Sequence, residues 1–257
     1  MLEQSQIEII VDAVMAELTP NDDSARERMK NATPARIDVG RCGPRLRTQT
    51  MLQLRADHAA ARDAVFMDVG EEFLQRLGLF SVVTCCRDKN EFLTRPDLGR
   101  MIPAKERQII NEKCKHHVDV QIYVSDGLSS AAIEANAADV LPVLTEGLTA
   151  KGLTVGTPFF VKFGRVGAMD PISEMLDAKV TCVLIGERPG LATAESMSVY
   201  IAYEARIGMP ESRRTVVSNI HSRGTPAVEA GAYLVDLLNE IFTARASGVE
   251  LRRQEES

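Results

Sequence analysis

Residues 180–185, Val-Thr-Cys-Val-Leu-Ile, form a short, almost wholly apolar run rich in β-branched side chains. A run this short and this uniform predicts a strand covered on both faces, the environment of a parallel sheet. Gly186-Glu-Arg-Pro-Gly190 ends it, because Pro189 has no backbone donor and the two glycines permit tight turning. Ligands of open α/β sheets lie beyond the carboxyl ends of the strands. A loop carrying Glu187 and Arg188 at such an end is therefore the first candidate for function.

The same pattern recurs around it. Strands are expected at residues 120–124, 157–163 and 215–220. They alternate with helices from Ser129 towards Ala150, over residues 170–176, after Gly190, and from Thr225-Pro226 onward. Alternation of this kind predicts an α/β fold, a parallel sheet flanked by helices with right-handed crossovers. Residues 33–117 read as mostly helical, with a short strand at 35–39 and a glycine- and arginine-rich loop, Gly40-Arg-Cys-Gly-Pro-Arg-Leu-Arg47. Helices are expected there from Thr48 to about Val69, over 71–79, and from Pro103 to Lys115. Ahead of them, Ile7, Ile10, Val11, Val14, Met15 and Leu18 recur on one face of an amphipathic helix, which Thr19-Pro-Asn-Asp-Asp-Ser24 ends. That stripe packs on the body of the protein or, detached on its polar linker, against another protein. The expected organisation is a helix and linker over 1–30, a mostly helical region over 31–117, and the sheet domain over 118–257.

Composition narrows the function. A hydrophobic share of 45% and a charged share of 26% are those of an ordinary globular chain. A net charge of −6 argues against a nucleic-acid binder dominated by phosphate contacts. No apolar run reaches the roughly 18 residues of a membrane span, and no secretory signal is evident. The five cysteines, Cys42, Cys85, Cys86, Cys114 and Cys182, show neither C-x-x-C nor zinc spacing, which suits a reducing compartment. G-x-G-x-x-G and the P-loop pattern are both absent. Asp57-His58 falls mid-helix, where packing or a local hydrogen bond explains a histidine better than ligation does. His116-His117 closes a helix, where the dipole favours histidine. Cys182 is read as a buried small hydrophobe. Arg41, Arg45 and Arg47 form a solvated loop or a seat for an anion or acidic partner.

The four strand ends are Ser125-Asp126-Gly127, Gly164-Arg165-Val166, Gly186-Glu187-Arg188 and Ser218-Asn219. In a parallel sheet they share one edge and suit a large polar ligand. They contain no nucleophile–base–orienter set and no metal cluster. Pairing of Glu187 with Arg188 across a turn is the structural alternative to a binding role.

Several blocks resemble one family. Gly40-Arg-x-Gly-Pro-Arg-x-Arg-Thr-Gln49, Asp57-His58, Leu93-Thr-Arg-Pro-Asp-Leu-Gly-Arg100, Val124-Ser-Asp-Gly-Leu-Ser129, Val155-Gly-Thr-Pro-Phe-Phe-Val-Lys-Phe-Gly-Arg-Val166, Leu184-Ile-Gly-Glu-Arg-Pro-Gly-Leu191 and Ser218-Asn-Ile-His221 are similar to the small subunit of ethanolamine ammonia-lyases. The blocks run in order from about Ala35 to Gly248. The resemblance implies a Rossmann-like domain against one face of adenosylcobalamin. A large subunit, a TIM barrel, would complete the conversion of ethanolamine to acetaldehyde and ammonia. It implies cofactor contacts at Val166, Glu187 and Val216, with Arg165 and Arg188 beside them, and no catalytic residue in this chain. Valine at 216, where some members carry cysteine, leaves only a backbone contact secure there. The Asp-x-His-x-x-Gly motif is missing, so the cofactor is expected to stay base-on. Residues 1–18 look like the family's address peptide for a bacterial microcompartment, with shell or cargo proteins as partners. The rival reading is a free-standing α/β enzyme that binds a nucleotide or flavin at the same edge.

Overall fold

The computed structural model describes residues 23–33 and 35–255. The expected helix over 1–18 lies outside them. The chain divides into two compact units, Met1–Ala56 and Asp57–Ser257. The described part of the first holds α1 (Asp23–Asn31) and a small antiparallel hairpin, β1 (Arg41–Cys42) and β2 (Arg45–Leu46). Gly43, at φ 58°, makes the turn between them, a conformation glycine adopts without a Cβ clash. The strands thus fall inside the arginine loop, and none forms at the expected 35–39. Arg41, Arg45 and Arg47 are all exposed. The unit boundary falls within α2 (Thr48–Phe66).

The second unit is a six-stranded sheet between two helical layers. After α3 (Glu71–Arg76) come β3 (Phe80–Val83), α4 (Lys89–Thr94) and α5 (Ala104–Lys113). β4 (Val120–Ser125), α6 (Ser130–Ala150), β5 (Phe159–Lys162), α7 (Met169–Leu176) and β6 (Val180–Gly186) follow. β7 (Met197–Tyr203), β8 (Thr215–Ile220), α8 (Ala227–Ala244) and α9 (Val249–Glu255) complete it. Strand order is β3-β5-β4-β6-β7-β8. The first four strands pair in parallel, and β7 is antiparallel to both its neighbours.

Two expectations are corrected here. The stretch read as mostly helical contributes β3, because Phe80-Ser-Val-Val83 is β-prone and pairs along β5. The helix expected after Gly190 is instead a loop followed by β7. The Ala-, Glu- and Leu-bearing stretch 191–195 favours helix locally. Tertiary bonds override it: the Ser129 hydroxyl donates to Ala194 O at 2.5 Å and the Asn136 amide to Glu195 O at 2.8 Å.

β6 confirms the opening expectation. All seven of its residues are buried, with Val180, Cys182 and Leu184 facing one layer and Val183 and Ile185 the other. The first layer is built by α3, α6 and α8, through residues such as Phe73, Ile133 and Leu238. The second is built by α5 and α7, through Ile110, Ile172 and Leu176. Cys182 is fully buried and desolvation pushes its thiol well up, as befits a core hydrophobe. His58 is exposed on α2 rather than packed, and His117 lies beyond the end of α5, its Nδ1 2.7 Å from Asp177 Oδ2. Among the described residues no helix is long and apolar enough to cross a membrane.

Candidate functional site

The carboxyl ends of β4, β5, β6 and β8 share one edge of the sheet. The first three run parallel, and β8 regains their direction through two antiparallel steps. The helix after β4 covers one face and the helix after β5 the other. A crevice opens where consecutive connections part in this way. Here it is a cleft of ≈ 270 Å³ lined by Gly127 and Leu128 after β4, Gly164 to Val166 after β5, and Ile185 to Arg188 at the end of β6, with Phe92, Ser198 and Tyr200.

Glycine brings these loops together. A Cβ on Gly127, which sits at φ 53°, would collide with Gly186 O, and one on Gly186 with Ser129 O. The loops after β4 and β6 therefore touch backbone to backbone.

Glu187 is held, and not by Arg188. Its Oε1 accepts from the Ser198 hydroxyl at 2.6 Å and from the Asn219 N–H at 3.0 Å, which ties β6 to β7 and β8. Burial pushes the carboxyl up, but the bonds from Ser198 and Asn219 outweigh it and leave the group below its ordinary value. Arg188 is exposed at the cleft rim. Arg165 is half-buried: its guanidinium lies 4.1 Å from the Phe92 ring centroid and Nη2 donates to Phe92 O at 2.7 Å. Its Nε is buried without a partner, and desolvation lowers the group's pKa. A buried donor left unpaired carries a real energetic penalty.

Beneath the cleft lies a buried charge pair. Lys89 Nζ is 3.6 Å from Asp126 Oδ2, and Asp126 Oδ1 accepts the Phe163 N–H at 2.8 Å. Burial pushes the Asp126 carboxyl up to about 6, with Lys89 pulling the other way. An unfolded aspartate titrates near ~3.9. The folded state thus holds this proton more tightly than the unfolded state does. The stability gained is fully present below about 3.9 and is lost as pH rises through about 6. Asp126→Asn should remove that component. Urea midpoints measured across this window should fall with rising pH in the native chain relative to the variant, and parallel curves would refute the assignment.

Of the five residues singled out beforehand, the cleft gathers Arg165, Val166, Glu187 and Arg188. Val216 is not among its lining residues. It is 49% exposed on β8, paired with the cleft residue Tyr200, and borders a separate hollow. Sequence reasoning missed Ser198 and Tyr200, whose signal was the β-rich alternation of 197–203. It missed Lys89 and Phe92 as well, for which no local signal exists. Among the described residues no group of three or more histidine, cysteine or acidic side chains is placed to hold a metal ion.

Residues 23–252 match the family described as ethanolamine ammonia-lyase light chain (EutC). The chain belongs to that family. The ethanolamine ammonia-lyase small subunit of Clostridium tetani is 59% identical over 237 residues, 91% of this chain and 80% of the relative. That of Fusobacterium nucleatum is 51% identical over 255 residues, 95% of this chain and 86% of the relative. That of Clostridium perfringens is 54% identical over 233 residues, 91% and 79% of the two chains. As a light chain, a member of this family is one part of a hetero-oligomeric lyase.

Proposed function

We propose that this chain binds adenosylcobalamin along the cleft edge and works only with an ethanolamine ammonia-lyase large subunit. The observation that carries the reading is the donor set of the cleft. Cobalamin is rimmed by amide side chains and carries a ribose and a phosphate on its lower nucleotide. The half-buried Glu187 carboxylate in the cleft wall would accept from amide or hydroxyl donors, and the Arg165 and Arg188 guanidiniums that line the same cleft would donate to carbonyl or phosphate oxygens. At ≈ 270 Å³ the cleft is smaller than the ~300–1,000 Å³ of sites that swallow a whole small ligand, so it would take a peripheral group of the cofactor and not the whole of it. Val166 would pack against the cofactor from within the cleft, and Val216 would meet it only beyond Tyr200.

When bound, the cofactor supplies the radical chemistry through its cobalt–carbon bond, which no side chain of this set provides. This chain's residues bind and orient. The Asp-x-His-x-x-Gly motif is missing from the sequence, so the cofactor would keep its own nucleotide base. The amphipathic residues 1–18 serve as the address peptide for a microcompartment, with shell or cargo proteins as partners.

Reconstitution tests the whole reading. Ethanolamine deamination should require this chain, the large subunit and adenosylcobalamin together. Removing residues 1–18 should leave that activity intact and abolish compartment targeting. Turnover by this chain alone, or binding of a flavin or nucleotide in place of cobalamin, would overturn the proposal, and targeting by the truncated chain would remove the address role.

A further inference from the structure

We infer that His221 is a positioning residue for the cleft carboxylate: through Asn219 it holds the backbone N–H that grips Glu187. The cofactor role of Glu187 rests on the function proposed above, but the grip itself does not.

β7 and β8 slip register between Met197 and Val199, so Met197 faces Ile220 while Val199 faces Val217. The bulge leaves Ser218 and Asn219 opposite Ser198 alone. An inserted residue of this kind loses its place in the ladder. The freed Asn219 N–H donates to Glu187 Oε1 at 3.0 Å, and the Ser198 hydroxyl reaches the same oxygen at 2.6 Å. Asn219 sits at φ 65°, a left-handed conformation that asparagine tolerates better than most residues and that still needs support.

The support is His221, only 8% exposed. Its Nδ1 accepts the Arg223 N–H at 3.2 Å. A ring nitrogen that accepts leaves the other to carry the hydrogen, so Nε2 donates to Asn219 Oδ1 at 2.8 Å. Around the ring, Thr225 N–H donates to Asn219 O at 3.0 Å, Gly224 N–H to His221 O at 2.9 Å, and His221 N–H to Thr225 O at 3.1 Å. A Cβ on Gly224 would collide with Asn219 O and fall 2.9 Å from His221 Nε2, so the loop closes tightly over the imidazole. The Arg223 guanidinium anchors it to Ala192 O in the loop after β6. Two of the ring's properties are thus separable. Nδ1 closes the loop on Arg223, and Nε2 orients Asn219 and with it the hold on Glu187.

Side-chain amides split these roles. His221→Gln places its N–H near the position of Nε2, and His221→Asn reaches only the position of Nδ1. The full-length chain, labelled with ¹³C at the glutamate carboxyls and assigned with Glu187→Gln, reports the grip directly. His221→Asn should raise the Glu187 titration midpoint by about half a unit or more, as expected when the charged form loses a backbone donor, and His221→Gln should leave it in place. An unmoved midpoint in His221→Asn, or equal shifts in both variants, would overturn the inference. Should His221→Asn fail to fold, Asn219→Gly, which keeps the left-handed backbone and removes the Oδ1 acceptor, supplies the same test. In the complex assembled with the large subunit, His221→Asn should also weaken adenosylcobalamin binding about fivefold, with no further loss when added to Glu187→Ala. A shifted Glu187 titration with unchanged cobalamin binding would instead overturn the cofactor role of Glu187 and leave the positioning role standing.

Discussion

Glu187→Ala should weaken adenosylcobalamin binding to the assembled complex about ten-fold or more. A charge-assisted hydrogen bond contributes roughly 1.5–3 kcal/mol, and about 1.4 kcal/mol is a decade in affinity. The same change also loosens the fold. Oε1 holds the Ser198 hydroxyl and the Asn219 N–H, so alanine leaves two donors without their acceptor. Each such loss costs on the order of 1 kcal/mol where water cannot fully replace the partner. Glu187→Gln separates the effects, since it keeps an acceptor for the strand ends and removes the charge. Cobalamin titrations paired with thermal melts should show affinity lost in both variants and stability lost mainly in alanine. Unchanged affinity with a lowered melting temperature would make Glu187 a structural clasp of β6, β7 and β8 and nothing more.

The largest stability effect is expected at Asp170. Arg214, whose side chain is 2% exposed, donates through Nη2 to both Asp170 oxygens, at 2.7 and 2.8 Å, and its Nε lies 3.3 Å from Met169 Sδ. Asp170→Ala strands a buried guanidinium whose remaining carboxylate partner, Glu211, is largely exposed. Breaking one partner of a buried pair costs about 3–5 kcal/mol. Replacing both, as in Asp170→Leu with Arg214→Met, should recover most of the loss, because an apolar pair of similar volume avoids the desolvation penalty. Urea unfolding of the single and double variants decides it. A loss below about 1 kcal/mol in Asp170→Ala would mean that Glu211 compensates and that the pair is not the anchor. The position matters for function as well. Asp170 opens α7 just after the turn bearing Val166, and Arg214 leads into the strand bearing Val216. The pair therefore fixes the distance between the two ends of the proposed cofactor surface, so Asp170→Ala should also lower cobalamin affinity.

Some of this was written locally. The apolar run at 180–185, the Ser129 cap whose oxygen accepts the Ala132 N–H at 3.2 Å, and the strand-ending glycines each follow from patterns within a few residues of one another. That is why the α/β class, the sheet edge and the place of Arg165, Val166, Glu187 and Arg188 along it were legible in the sequence. The family blocks added the identity of the likeness, which composition and spacing did not carry.

What the tertiary structure decided is what depends on partners distant in the chain. β3 and β7 became strands because β5 and β6 offered them open edges, and β7 in running antiparallel returned β8 to the common direction. Glu187 and Arg188, adjacent in sequence, do not pair, because hydroxyl and amide donors from β7 and β8 reach the carboxylate first. Lys89 and Asp126 meet under the cleft although no local pattern links them. Val216, named by the resemblance, pairs from the next strand with the cleft residue Tyr200 and does not itself line the cleft. Periodicity and turn chemistry act over a few residues and fix which segments form. Which edges pair, which carboxylate meets which donor and how far apart two loops lie depend on long-range packing, which a linear pattern does not encode.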